Sequence, residues 1–487
     1  MARKSLDVPQ AVKIVQDILF NTSNRLYNLG LTLNLLGSPQ QLTTSLKATK
    51  IAKLDVLIQF LERNPSIKFL RLQWLDYTAT LRLRIIPIKP ALEMFNKQKS
   101  IGITKAVLGL IHQDAMVPAF SPVGEYELIP CFEGLQLGER AGYATVQCEF
   151  REKDGSEVAI CPRSALKRIV EKAKKHDISF LVGFELEVVF MTYSNVEGAY
   201  VYGSNPVSRG HAWSNASAVR NPEIMNVIEE ILAKLERSGI DVQQFHPESA
   251  PGQYEFVTGP LPPLEAVDVL LATQDIIYTV AERHSLKATF VPKPYPMACG
   301  TGAHVHMSIS PEDKYPSFYA GILKHLPAVA AITYSNNSSY DRVQDSVWSG
   351  GRHVAWGTQN RETPLRKIEG SHWELKCMDG LANRYLALAA ILGAGLEGVL
   401  DQLPLTHEDC GADPALLDAE GRKQLGIEEQ LPKDFSDALQ RLDKDRGLRS
   451  ILGEELVNTY LTVKFAEMEM LDGMEIEERR KFLLERY

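Results

Sequence analysis

Glu185 and Glu187 stand two residues apart in the run GFELEVVF, residues 183–190. On a strand, residues i and i+2 share a face, so both carboxylates project away from the side that carries Phe184, Leu186, Val188 and Phe190. Burying two like charges without compensation costs on the order of several kcal/mol, so such a site has to supply protons, cationic side chains or metal ions. One Glu-x-Glu equally suits the exposed face of a half-buried strand. The weight comes from repetition. In AHVHMSIS, His304 and His306 share one face while Val305, Met307 and Ile309 take the other. In HPESAPGQYEF, Glu248 and Glu255 flank a Pro251-Gly252 pair able to turn the chain and bring the second glutamate back towards the first. Glu374 follows in HWELKCMDG. Five glutamates and a histidine offer mainly oxygen donors with one nitrogen. That set suits Mg²⁺ or Mn²⁺ and lacks the thiolates of structural zinc.

Arginines complete the chemistry. Arg342 lies in NSSYDRVQDSVWSGG, and Arg361 and Arg366 lie in WGTQNRETPLRKI, close enough in an irregular segment to reach one anionic ligand. Guanidinium groups beside divalent metals are the equipment of phosphoryl transfer, in which charge spreads over the phosphoryl oxygens. The chain has no GxxxxGK[ST] loop, no GxGxxG after a strand and no Gly-x-Ser-x-Gly elbow, so nucleotide binding has to use another scaffold and an elbow-type hydrolase is disfavoured. A glycosidase with paired carboxylates fits Glu185 and Glu187 alone and leaves His304 and the arginines unexplained.

These residues need a large framework to hold them. At 487 residues the chain suggests two domains of unequal size, and its 45% hydrophobic and 23% charged content is that of an ordinary globular enzyme. The 53 basic against 61 acidic residues, a net −8, give no general attraction to nucleic acid or to an anionic membrane. Six scattered cysteines without CxxC spacing fit thiols of a reducing compartment, so the cytoplasm is expected. The N-terminal stretch has no long apolar core, and no later stretch approaches the roughly twenty residues of a spanning helix, so neither secretion nor membrane anchoring is implied. Leu54, Leu57, Ile58 and Leu61 recur at helical spacing. The stretch from Phe69 to Ile85, broken at Thr78-Ala79-Thr80, predicts a hairpin opening a small β-rich domain that runs to about residue 150. After Pro162 an amphipathic helix leads into the Glu185 strand. Helices are predicted at about 221–238, 262–284, 317–333 and 380–400, and 401–436 reads as a loop excursion.

In the order FLRLQWLDYTATLRLRIIP, CPRSALKR, GFELEVVF, ESAPGQYEF, GTGAHVHMSI, NSSYDR, NRETPLR and ELKCMDGLANRYLALAAILGAGLEGV, these motifs resemble type I glutamine synthetase-like proteins over roughly residues 65–487. The resemblance is to the branch containing γ-glutamyl-polyamine synthetases and fungal FluG-type proteins. It implies an α+β fold with a β-grasp N-terminal domain at 61–150, a catalytic domain at 155–487 whose curved antiparallel sheet forms a funnel, and a helical extension, 1–60, outside the match. It also implies a homo-oligomeric double ring in which one subunit's N-terminal domain closes its neighbour's site. By matching residue to residue, Glu187, Glu248 and Glu255 hold one ion of Mg²⁺ or Mn²⁺ and Glu185, His304 and Glu374 another, with two or more ions per site. His306 and Ser308 lie near ATP, Arg366 on its phosphates and Arg361 beside the transferring phosphoryl group. Arg342 binds the substrate carboxylate, and Gly300 lies in the loop that touches glutamate. The implied chemistry activates a glutamate side-chain carboxylate as an acyl phosphate, which ammonia or an amine then attacks.

The departures from the family pattern cluster on the substrate side. Trp348 stands where ammonia-using enzymes carry a flap glutamate, and the Asp-Gly-Ser-Ser segment that supplies an ammonium-binding aspartate has no counterpart between 100 and 130, although Asp114 is near. Lys376 replaces a substrate-binding arginine, turning a fork into a point charge. His372 replaces an ATP-contacting arginine, Cys299 an asparagine, and Arg384 the proline of Asn-Pro-Tyr. No metal ligand is lost. The expectation is a retained phosphoryl-transfer site with an acceptor pocket that Trp348 lines, forming a γ-glutamyl amide with an amine other than ammonia. The alternatives are an unmodified glutamine synthetase using ammonia and a non-catalytic ring protein acting in regulation.

Overall fold

The computed structural model describes residues 45–194, 199–200, 208–218 and 220–487. The chain divides into two compact units, Met1–Asp55 and Val56–Tyr487. Helix Ser45–Arg63 is the described part of the predicted extension; the remainder of 1–60 lies outside the described residues. The second unit holds two sheets.

The first sheet contains β1 (Phe69–Leu75), β2 (Leu81–Pro87), β3 (Ile101–Thr104), β4 (Glu125–Pro130), β5 (Gln136–Leu137) and β6 (Tyr143–Arg151). Its order is β2-β1-β6-β4-β3 with β5 on β6, and only β1 and β6 run parallel. The predicted hairpin forms because Asp76 closes it: one carboxylate oxygen accepts the N–H groups of Thr78 and Thr80, and the other pairs with Arg82 at 2.6 Å. On the other face of β1, Arg71 reaches Asp275, at 2.9 Å, on helix Pro263–Arg283. Arg163 joins Glu149 of β6 to Asp268 of the same helix. The two sheets are thus tied by buried ion pairs within one unit.

The second sheet contains β7 (Ser179–Ser194), β8 (Ala199–Tyr200), β9 (Val242–Pro247), β10 (Gln253–Thr258), β11 (Leu286–Thr289), β12 (Ala303–Ser310), β13 (Trp356–Thr358), β14 (Leu365–Glu369) and β15 (His372–Leu375). The order is β13-β14-β15-β12-β7-β10-β9, with β8 and β11 on β7, and all pairs but β13–β14 are antiparallel. The alternation read from the sequence is realised. Phe184, Leu186, Val188, Phe190, Val305 and Met307 are buried on the face covered by helices Pro162–Lys174, Pro263–Arg283 and Tyr315–Thr333, each side chain contributing roughly 2 kcal/mol by burial. Helix Arg384–Leu400 forms the next layer, packed on helices Pro162–Lys174 and Tyr315–Thr333. It crosses the latter where Gly398 faces Gly321, and a β-carbon on Gly321 would lie 2.3 Å from the Ala394 carbonyl oxygen. The 401–436 segment is mostly loop, with a short helix at Ala419–Gln424.

A buried charge cluster ties helix Glu454–Asp472 to the region of the first sheet: Glu467 accepts from Lys464 at 2.7 Å and lies 2.9 Å from His112. Burial would raise the Glu467 pKa, but the Lys464 charge and His112 outweigh it and hold it below the ordinary value of 4.5. This contribution to stability is therefore fully present above pH 4.5 and lost as pH falls through the lower folded value. Glu467→Gln should cost about 3 kcal/mol at pH 7 by leaving Lys464 unpaired. The melting-temperature gap between the two proteins should close on acidification below pH 4.5; a gap that is constant from pH 7 to 3 would contradict this linkage.

Candidate active site

Strand register assembles the site. In antiparallel neighbours, paired residues point to the same side. His304 of β12 is paired with Glu185 of β7, Glu187 of β7 with Glu255 of β10, and Glu255 with His246 of β9. One row further along, Arg366 of β14, Glu374 of β15 and His306 of β12 stand side by side. Glu248 is brought in by the turn after β9. Gly252 has φ +70, its carbonyl accepts the Phe190 N–H at 2.8 Å, and a β-carbon there would lie 2.2 Å from the Phe190 carbonyl oxygen. Only glycine allows β10 to close onto β7 at this point.

The result is one continuous row of carboxylates and imidazoles. His304 Nδ1 lies 3.2 Å from Glu185 Oε2 and 3.3 Å from Glu374 Oε1, and His306 Nε2 lies 2.9 Å from Glu185 Oε1. Arg342 Nη2 donates to His304 Nε2 at 3.1 Å, which requires a neutral His304. Burial, reinforced by the Lys376 charge, lowers the His304 pKa in agreement. Arg366 Nη1 lies 2.8 Å from Glu374 Oε2 in charge contact without the angles of a hydrogen bond, and Lys376 Nζ lies 3.4 Å from Glu374 Oε1.

Electrostatics divide the row. Burial opposes ionisation of Glu185, yet bonds from His304 and His306 hold its pKa well below the carboxylate range. Glu374 is likewise lowered against burial by Lys376 and His304. Burial raises Glu187, raises Glu248 with help from Glu187, and lifts Glu255 to about 7. Five carboxylates at one place, three of them resisting ionisation, form a site short of positive charge. Three donor sets have ligand atoms within 4.8 Å of one another: Glu185–His306–Glu374, Glu185–Glu255–His304 and His246–Glu248–Glu255. Their oxygen-rich chemistry fits a hard divalent ion.

A cavity lies on either side of this row. One, of about 420 Å³, is lined by Glu185, His306, Ser308 and His372, and His372 Nε2 lies 2.8 Å from His306 Nδ1. The other, of about 620 Å³, is lined by Glu187, Glu248, His304, Gly300, Arg342 and Trp348. A larger cavity of about 1000 Å³ beside Tyr143 and Lys234 contains none of the donor sets.

Most predicted residues therefore converge. Glu187 faces the row but belongs to none of the three donor sets; its Oε2 accepts from Gln253 Nε2 at 2.7 Å and from the Gly302 N–H at 3.0 Å. Lys376 is buried against Glu374, and Trp348 is exposed at its cavity mouth. Arg361 is exposed on the turn before β14, with no hydrogen bond or ion pair among the described residues. Arg384 is buried and donates to the carbonyls of Gly380 and Ala382, away from the row. Asp114 pairs with Arg82 at 2.9 Å. Two functional residues were not singled out from sequence. His246 lies 3.2 Å from Glu255 and 3.5 Å from Glu248; its position two residues before Glu248 on a strand was the available signal. Gln253 bridges Glu187 to the Gly300 carbonyl, at 2.9 Å, and nothing in a lone glutamine announces that.

A family model described as the glutamine synthetase catalytic domain matches residues 159–480. The chain is 42% identical over 488 residues to Protein fluG of Emericella nidulans, covering 99% of this chain and 55% of that one, so it spans about half the length of that relative. It is 32% identical to the gamma-glutamylpolyamine synthetase GlnA3 of Streptomyces coelicolor, over 73% of this chain and 79% of that one. A solved structure titled as a GmaS/ADP complex superposes with a TM-score of 0.74 at 25% identity, over 87% of this chain and 98% of that one. No helix among the described residues is long and apolar enough to cross a membrane, and all six cysteines are free.

Proposed function

The chain belongs to the glutamine synthetase family, and on that premise we propose that it is an ATP-dependent ligase joining the side-chain carboxylate of glutamate to an amine other than ammonia. The observation that carries this reading is the row from Arg366 to His246, flanked by two cavities, with Arg366 in the row beside Glu374 and Arg342 lining the 620 Å³ cavity beside His304.

In this proposal Glu187, Glu248 and Glu255 hold one Mg²⁺ or Mn²⁺ and Glu185, His304 and Glu374 another, with His246 and His306 close enough to share in each set. When bound, the ions neutralise phosphoryl oxygens and stabilise charge in the transition state. The chain's own groups do the positioning. His306 and Ser308 bind ATP from the smaller cavity, and Arg366, beside Glu374, takes its phosphates. Arg342 and the Gly300 loop bind glutamate from the 620 Å³ cavity, Lys376 adds positive charge from its buried place on Glu374, and Trp348 faces the amine. A γ-carboxylate oxygen of glutamate attacks the terminal phosphorus of ATP, and the bond to ADP breaks with its electron pair leaving on ADP. Arg361, placed by the NRETPLR motif, serves the transferring phosphoryl group. The amine nitrogen then attacks the acyl carbon, and phosphate departs with the electrons of the C–O bond and takes up the proton that the nitrogen loses. Gln253 keeps the Glu187 carboxylate and the Gly300 carbonyl in register. The proposal extends to residues 61–150 and 155–487 as N-terminal and catalytic domains, a homo-oligomeric double ring and a cytoplasmic location, the last supported by the free cysteines.

The test is incubation of the purified full chain with ATP, Mg²⁺, glutamate and a panel of amines, with mass spectrometry of the products. A γ-glutamyl amide appearing together with equal ADP and phosphate is expected. Faster turnover with ammonia than with any amine would overturn the altered acceptor, and no ADP with any acceptor would overturn the ligase.

A further inference from the structure

The cavity of about 620 Å³ opens through a mouth whose composition has consequences for what enters. Four side chains that soluble proteins usually hide line it: Met297 is 97% exposed, Trp348 64%, Ile476 63% and Val347 55%. They come from three separate segments, the loop before Gly300, the loop after Arg342 and the C-terminal helix Ile476–Arg486. Exposed apolar groups scattered singly need no explanation, but four gathered at one cavity mark a binding surface.

The loop that presents Trp348 is built, not slack. Trp348 has φ +60, a conformation that bulky residues avoid. It is held there by its N–H donating to Glu362 Oε1 at 3.0 Å. The neighbouring Ser349 hydroxyl accepts the Gln344 N–H at 3.1 Å and donates to the Gln344 carbonyl at 2.8 Å. Backbone strain that persists under such constraint is a feature of ligand-facing segments.

Charge at the mouth points the same way. Lys293, Arg479 and Arg480 line it, and apart from Glu187 and Glu248, which the row of donors uses, its one carboxylate is Asp341. Arg479 and Arg480 are partnered by Asp472 at 3.1 Å and Glu477 at 2.6 Å, and Lys293 donates to the Ala298 carbonyl at 2.7 Å. A second ammonium on an incoming molecule would meet Lys293, whose one bond is to a carbonyl, two arginines already paired with acids, and a single further acid, Asp341. An apolar body would meet Trp348, Met297, Val347 and Ile476. The volume, about 620 Å³, lies within the roughly 300–1,000 Å³ of pockets that enclose small organic ligands, far beyond what ammonia requires.

We infer that the acceptor is a primary monoamine carrying an aromatic or alkyl body, seated against Trp348 and Ile476, and not a polyamine. This rests on the ligase reading above. The experiment compares 2-phenylethylamine, n-hexylamine, methylamine, putrescine and spermidine as acceptors for the full chain with ATP, Mg²⁺ and glutamate. Hydroxylamine serves as a small strong nucleophile that intercepts an acyl phosphate whatever the mouth prefers. The expected result is a kcat/KM for phenylethylamine or hexylamine at least about tenfold above that for putrescine and methylamine. Trp348→Ala and, separately, Ile476→Ser should shrink the ratio of phenylethylamine to methylamine severalfold, a readout that general loss of folded protein does not move. Preference for putrescine or spermidine overturns the inference while the ligase reading stands, as does hydroxamate formation with no amide from either apolar amine. An unchanged ratio in Ile476→Ser shows that this apolar patch is covered by something other than substrate, such as a second copy of the chain, and overturns it too. Absence of both hydroxamate and amide removes the ligase reading itself and the inference with it.

Discussion

Glu185→Gln should lose roughly 10³-fold in ATP-dependent phosphate release and at least one bound Mn²⁺ per chain, while the protein still folds. Glu185 belongs to two of the three donor sets, one oxygen facing His304 and the other His306. An amide keeps the shape and one acceptor but removes the negative charge that a divalent ion needs. Several kcal/mol of transition-state stabilisation depend on that ion, and each 1.36 kcal/mol is a factor of ten. Folding should survive because the face of β7 that packs on the helices carries Phe184, Leu186 and Val188, all untouched. The melting temperature of the metal-free protein should fall, because His304 and His306 hold the Glu185 pKa down and its ionised form therefore favours the fold at neutral pH, while removing a charge that helps to raise the Glu255 pKa offsets part of the loss. Calorimetric titration with Mn²⁺, phosphate release and thermal melts together decide the matter. Unaltered metal stoichiometry with turnover within tenfold of the parent would dismantle the proposed centre.

That a single carboxylate can be assigned so much follows from how legible the sheet was. Period-two alternation gave the faces of β7 and β12 directly, because Phe184, Leu186, Val305 and Met307 had to find a core and so fixed where Glu185, Glu187, His304 and His306 would point. The hairpin at Thr78-Ala79-Thr80 was equally plain, since Asp76 and the threonines form a local turn that needs no distant partner. Inter-strand register is not local. Nothing near Glu374 states that it will stand opposite both His306 and Arg366. The motif order supplied that convergence.

What stayed hidden depends on side-chain choice among several partners. Lys376 could be placed on the substrate side by matching, but its ammonium settles on Glu374 because both groups are buried and a charge without a partner there is costly. The exposed setting of Trp348 and the approach of the C-terminal helix to the same cavity arise from loop conformations that carry no periodic signal. Gln253 is a further case: buried, it satisfies two acceptors, one on β7 and one on the loop before β12, and only the folded geometry reveals it.

Arg342→Lys is expected to separate substrate binding from metal binding. Arg342 closes the short helix Asn337–Arg342, is buried, and commits one terminal nitrogen to His304; Tyr334 stands against the guanidinium, but its Nη1 makes no hydrogen bond of good geometry among the described residues. A buried charged donor left unpaired is costly unless a ligand completes it. In the cavity shared with Gly300, a carboxylate is the group that a planar guanidinium fork recognises. Lysine keeps the charge and loses the fork. It should raise the KM for glutamate about a hundredfold, the worth of roughly 3 kcal/mol of charge-assisted bonding. Mn²⁺ stoichiometry should be unchanged, since no donor of the row is removed, and the KM for ATP should shift little, because the smaller cavity is bounded by other residues. Glu185→Gln predicts the reverse pattern, so the two variants measured side by side distinguish an acid-binding arginine from one that merely braces His304. In the bracing case metal affinity would fall with glutamate affinity unaffected, and the larger cavity would lose its assignment as the glutamate pocket.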